Sequence, residues 1–221
     1  MKILFLRVGI DRGCGGTLSP LFNDLSFDYV PIPESDKYIS NRSVMYSDIP
    51  ALNGGNLKQY SNSNEYAHYD PEFNTYTYGE PSFPKKNQLL KLEVGDIVIF
   101  YSGFKGDTID PGTCFVIGYF FISSVYHFKD NDKNTKFPES LSNNAHIRRS
   151  TVDEDFVLIT GDNDRSRLLK KAIQLSDNKQ NVLPEVSLVT GLTGSVKRAI
   201  GRWVKAPEEV SKTIEWVTSG K

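Results

Sequence analysis

The chain has 221 residues, of which 38% are hydrophobic, 24% charged and 12% aromatic. That composition excludes disordered, collagenous and coiled-coil chains, and a chain this long buries about 70% of its unfolded surface without help from a metal or disulfide. The 26 Lys and Arg against 27 Asp and Glu give a net charge of −1, so a nucleic-acid surface has to be a local patch.

Residues 2–8 read as a buried strand, since Ile3, Leu4, Phe5, Leu6 and Val8 form a near-continuous apolar run ended by Gly9. Arg7 interrupts that run and no small-residue cleavage site follows, so no secretory leader is expected. A glycine-rich loop comes next, and Tyr29–Pro33 is held extended by its prolines. Residues 34–88 carry Asn, Ser, Gly and seven tyrosines between 38 and 78, with no sustained period. Aromatics argue against disorder, so this stretch is expected to be an ordered, irregular insertion, with docking of a protein partner as one use for it.

A hairpin with a wide loop is expected from Ile97–Tyr101 and Cys114–Ile122, and a further strand from Phe156–Thr160. Asn163 or Asp164 can cap a helix carrying Leu168, Leu169, Ala172 and Ile173. In 194–205 the spacing of Val196, Ala199, Ile200 and Trp203 predicts another helix. Pro207, Glu208 and Glu209 open a last one, with Val210, Ile214 and Val217 on its buried side. The absence of regular βαβα alternation disfavours a doubly wound sheet. The expected fold is α+β over 1–221 as one domain: a mixed, mainly antiparallel sheet or a small β-barrel, with peripheral helices and the long insertion.

Three segments carry candidate chemistry. In the loop Arg7–Gly16, the glycines Gly13, Gly15 and Gly16 expose backbone N–H groups of the kind that cradle phosphate, or simply form a tight turn. Asp11 and Cys14 lie in the same loop, and Cys14 is a nucleophile only if its thiol is activated. Asn144, His146, Arg148 and Arg149 form the second group. They suit phosphate, a base edge or acid–base work, and read equally as a strand end with solvated arginines. The third is Arg165, Ser166 and Arg167 after an acidic turn, an anion site unless Asp162 and Asp164 cap the helix themselves. Calcium is rejected there, since Ser stands at position six and Ile at position twelve of the count from Asp162. His68 and His127 sit among aromatics and read as packing or surface residues. Cys14 and Cys114 lack the paired spacing of a zinc site, and neither a metal nor a cofactor is expected. With no run of 18 apolar residues and only two cysteines, the expectation is a cytoplasmic protein off the membrane.

Leu6–Gly16 with Tyr29–Ser35 resembles the opening of the third class of nucleotide-modification-associated domains, and Val94–Phe104, the segment around His146, Ser166–Ile173 and Gly194–Trp203 extend the likeness. The resemblance implies a role with modified nucleotides and names no reaction. Residues 92–160 are also similar to PUA-like domains of the EVE and ASCH kind, which implies a small barrel holding a nucleotide or flipped base. On these grounds the partner is a nucleic acid or nucleotide. Tyr101, Phe104 and Tyr119 would stack a base, Arg7 and the glycine loop would hold polar edges, and the arginines would meet phosphates. The alternative is an enzyme using Asp11, Cys14 and His146. The oligomeric state is left open.

Overall fold

The computed structural model describes residues 1–62 and 65–219. In chain order the strands and helices are β1 (Ile3–Arg7), β2 (Ser19–Pro20), β3 (Ile32–Pro33), β4 (Val44–Met45), β5 (Tyr66–His68), β6 (Thr77–Glu80), α1 (Phe83–Leu89), β7 (Ile97–Lys105) and β8 (Cys114–Phe128). They continue with α2 (Ala145–Arg148), β9 (Phe156–Gly161), β10 (Arg167–Gln174), α3 (Pro184–Thr190), β11 (Arg202–Val204) and α4 (Pro207–Ser219). Eight strands make one open sheet in the order β11-β1-β7-β8-β9-β6, with β10 beside β8 and β2 beside β7. Among the described strands, only the β1–β7 and β2–β7 pairs are parallel. The class is therefore α+β with a mainly antiparallel sheet, and of the two expected forms the open sheet is the one found: among the described residues no barrel closes.

The apolar runs explain the centre. In β7 the residues from Ile97 to Phe104 are all buried, and in β8 so are Cys114 to Ile122. The two pair antiparallel, Phe100 opposite Gly118, as the expected hairpin. Strand β8 is 15 residues long and serves two neighbours. Its first half pairs β7, and after a register shift between Ile122 and Ser124 its second half pairs β9. The rings of Phe73, Tyr78 and Phe120 pack on Phe100 at centroid distances of 5.9, 5.4 and 4.7 Å, near edge-on, the favoured aromatic geometry.

The stretch 34–88 is more regular than its composition suggests. It supplies β4 and β5, which with β3 form a three-stranded sheet, then β6 on the edge of the main sheet, then α1. A second cluster of Ile10, Val30, Tyr46, Leu57 and Ala67 fastens it down.

Two expected helices are corrected. Residues 167–174 form β10, whose buried positions Leu169 and Ala172 are three apart because the register against β8 slips between Leu168 and Ile173. A slipped strand thus imitates a helical spacing. In 194–205 only β11 is regular, and Ile200 stays 49% exposed. There the carbonyls are taken by side chains from elsewhere: Arg7 Nη1 donates to Lys197 O at 2.9 Å, and Gln88 Nε2 to Gly201 O at 2.8 Å. Gly201 N donates back to Gln88 Oε1 at 2.9 Å. The last helix stands as expected, with Val210 and Val217 buried. No helix among the described residues is long and apolar enough to cross a membrane.

Candidate functional site

A cleft of about 500 Å³ opens where the first strand, the small sheet, β6 and α2 meet. Its floor is built by local structure at each corner. Strand β3 pairs β5 with Ile32 opposite His68, so Glu34, just past β3, falls beside that histidine. Strand β5 ends at His68, and in the tight turn that follows Asp70 N donates to His68 O at 2.8 Å, which brings the Asp70 carboxylate back to 4.0 Å from the His68 ring nitrogen. The third corner is α2. Asn144 caps it, its Oδ1 accepting from His146 N at 3.0 Å, and this seats His146 in the first turn.

His68 and His146 meet edge to face with ring centroids 4.6 Å apart. His68 Nε2 lies 4.0 Å and His146 Nε2 3.6 Å from Asp70 Oδ2. Each ring is fixed from behind. His68 Nδ1 bonds Glu34 Oε2 at 2.8 Å and His146 Nδ1 bonds Asp153 Oδ2 at 2.7 Å. An ionised carboxylate only accepts, so both Nδ1 atoms donate and both Nε2 atoms face Asp70. Asp70 is itself oriented: Asn144 Nδ2 donates to its Oδ1 at 3.0 Å, and Gly79 N donates to Oδ2 at 3.0 Å. Arg149 braces the assembly, donating from Nη2 to Glu34 Oε1 at 3.1 Å and from Nη1 to Asp153 Oδ2 at 2.7 Å, with its plane 4.1 Å over the Tyr38 ring.

Burial pushes His68 below the usual imidazole range against its bond to Glu34. Burial also opposes charge on His146, but the Asp153 and Asp70 carboxylates prevail and raise it to about 9. Glu34 loses solvation too, yet His68 and Arg149 hold it down to about 2. The floor is a charged network in which every imidazole nitrogen is directed. One donor atom from each of His68, Asp70 and His146 lies within 4.8 Å of the other two, so these three residues could hold a metal ion.

Gly79 makes this packing possible. A Cβ there would run into His146 Cδ2 and come within 3.1 Å of Asn144 Oδ1, and both neighbours are locked. Gly79→Ala is expected to destabilise the fold by about 1–3 kcal/mol and to displace the imidazole. Urea unfolding checks the first effect, and the histidine resonances in a two-dimensional NMR spectrum check the second.

The family model for nucleotide modification associated domain 3 matches residues 2–217. The chain belongs to this family. The description of nucleotide modification associated domain 3 ties the chain to nucleotide modification without naming a reaction. No curated protein and no solved structure matches it.

In this member of the nucleotide modification associated domain 3 family, the cleft brings together Arg7, Asp11, Cys14, His146 and Arg149 from the expected set. It adds Glu34, His68, Asp70, Glu80 and Lys85, which the sequence reading did not single out as site residues. The glycine loop is closed on itself: Asp11 Oδ1 accepts from Gly13 N at 2.9 Å and from Cys14 N at 2.8 Å. Gly15 at φ +102° packs its backbone on Ile10, while Gly16 at φ +73° faces open space. Partial burial and then Asp11 raise the Cys14 thiol, the opposite of activation. Asn144 has its side chain behind Asp70, and Arg148 donates to Asn143 Oδ1 at 2.7 Å.

The third segment lies apart from the cleft. Ser166 is buried with its Oγ accepting from Phe121 N at 3.1 Å, Arg165 covers the Phe121 ring at 3.9 Å, and Arg167 Nη1 donates to Asn163 O at 3.3 Å. Tyr101 and Phe104 are 0% exposed and Tyr119 is 1% exposed; none lines the cleft. The sequence signal for this floor is the His-x-Asp pair where β5 ends, which the turn after the strand folds together. Tyr66 and Tyr69 flank His68 closely, and that aromatic setting reads as packing.

Proposed function

We propose that this chain is an enzyme of nucleotide modification that holds a nucleotide, or a modified base borne on one, in the cleft and acts on it at the His68–Asp70–His146 floor. The observation that carries this reading is the floor itself: two buried, opposed imidazoles and a carboxylate, each oriented by a further hydrogen bond, beneath an open cleft. The volume of about 500 Å³ falls in the range of small-molecule sites. At the walls, Arg7 and Lys85 offer cationic groups for phosphate. Glu80, 3.2 Å from Lys85, and the backbone of Gly9 offer acceptors and donors for a base edge. Tyr101, Phe104 and Tyr119 lie in the interior, which favours chemistry over a reader that recognises a base by stacking.

The test is a panel of nucleoside mono-, di- and triphosphates and short oligonucleotides, plain and base-modified, followed by calorimetry and mass spectrometry. Binding and turnover of at least one member are expected. Replacement of His146 by Gln lowers turnover about 10²–10⁴-fold while affinity changes far less. Binding without any turnover supports a reader instead, and no binding across the panel removes the reading.

A further inference from the structure

The donor arrangement at the floor of the cleft goes further than nucleotide binding. Neutral imidazole nitrogens and a carboxylate oxygen are the donors that zinc and the other late first-row divalent ions accept, whereas magnesium and calcium take all-oxygen shells. Metal-bound histidines characteristically donate their second N–H to a carboxylate or carbonyl, which fixes ring and tautomer. Both histidines here do so, to Glu34 and Asp153. The carboxylate of the set is likewise held by Asn144 and Gly79, leaving Oδ2 toward both rings.

The charge also fits. Glu34, Asp70 and Asp153 lie against the two rings, with Arg149 paired to Glu34 and Asp153, and a divalent ion at the floor would displace the proton that Asp70 and Asp153 favour on His146. The separations of 3.6 and 4.0 Å from Asp70 Oδ2 slightly exceed the roughly 3.0–3.5 Å between donors on an ion with bonds of about 2.1 Å. A modest inward movement of the three side chains closes the set. Glu80 is outside it, paired with Lys85 at 3.2 Å.

We infer that His68 Nε2, His146 Nε2 and Asp70 Oδ2 bind one first-row divalent transition-metal ion at the floor of the cleft. Three protein donors leave coordination positions open, as in catalytic and not structural sites, so water or a substrate oxygen can reach the ion from the cleft. The sequence reading expected no metal; this inference replaces it. It shares its cleft with the nucleotide reading, but its test uses the metal alone.

The experiment is titration of chelator-stripped protein with Zn²⁺ and with Co²⁺, followed by calorimetry and visible absorption, with Mg²⁺ as the control. One ion per chain is expected, with Co²⁺ ligand-field bands and a rise in melting temperature that Mg²⁺ does not give. Glu34→Gln and Asp153→Asn should each weaken Zn²⁺ binding about 10–100-fold, and Asp70→Asn more. No binding of Zn²⁺ or Co²⁺ up to about 1 mM overturns the inference, as does binding that Asp70→Asn and His146→Gln leave within about twofold. If those variants do not fold, X-ray absorption of the Zn²⁺-loaded wild type decides. Scattering from two imidazoles supports the site and its absence overturns it. Metal binding without any nucleotide binding supports this site and removes the nucleotide reading; nucleotide turnover without metal binding does the reverse.

Discussion

Arg149→Ala lowers the unfolding free energy by about 3–5 kcal/mol, the loss expected when one member of a buried ion-pair network is removed. The side chains of Arg149, Glu34 and Asp153 are 10%, 5% and 12% exposed, so solvent does little to replace the missing guanidinium. Arg149 joins chain segments far apart in sequence, since Glu34 follows β3 and Asp153 precedes β9. The same junction is bonded through Ser150 N to Tyr38 O at 3.0 Å and Arg42 Nη2 to Ile147 O at 2.6 Å. Those bonds keep the backbone together, so the variant should fold and its loss should be measurable. Lysine at 149 keeps the charge but not the planar fork that meets both carboxylates, and should recover only part of the stability. Urea titrations of the three proteins check the order. A loss below about 1 kcal/mol for the alanine variant would mean that the network contributes little to stability.

Phe100→Ala should destabilise by about 3–5 kcal/mol, lowering the melting temperature by roughly 6–20 °C for a chain of this size. Its ring is wholly buried at the middle of the central strand, in contact with Phe73, Tyr78 and Phe120. The cavity cannot easily collapse, because Gly118 opposite brings no side chain and its backbone is already close under Phe73. Tyr78 precedes Gly79, whose amide holds Asp70, so a loosened ring at 100 also loosens the cleft floor. Calorimetry gives the stability change. The wild-type denaturant slope should be retained, since the surface exposed on unfolding barely alters.

These two positions mark what the sequence made legible. Phe100 lies in a run of apolar residues bounded by Gly95-Asp96 and a polar loop, and such a run reads directly as a central strand. The strands at 3–7 and 156–161 and the helix opening at Pro207 are legible for the same local reasons. β10 was not, because a register slip opposite β8 gave Leu169 and Ala172 a helix-like spacing. Nor was β11, whose segment is organised by Arg7 and Gln88 from distant parts of the chain. The site divides similarly. His146 and Arg149 stand out by residue type, as do Arg7, Asp11 and Cys14 of the glycine-rich loop, and these five line the cleft. Glu34, His68 and Asp70 are ordinary residues in an unpatterned stretch, and only the pairing of β3 with β5 turns them into a group. Arg165 and Arg167 looked like anion ligands, yet their guanidinium groups are spent on a ring face and on nearby carbonyls.

Asn144 carries two duties through opposite ends of one amide: the oxygen receives the His146 N–H, and the nitrogen gives to Asp70. No other side chain of that reach has both polarities. Aspartate would start the helical turn equally well but would set one anion against another, and serine would be too short for the second bond. Glutamine carries the right groups one methylene too far out. A single planar amide therefore couples the geometry of the turn to the aim of the carboxylate, and neither can drift without the other.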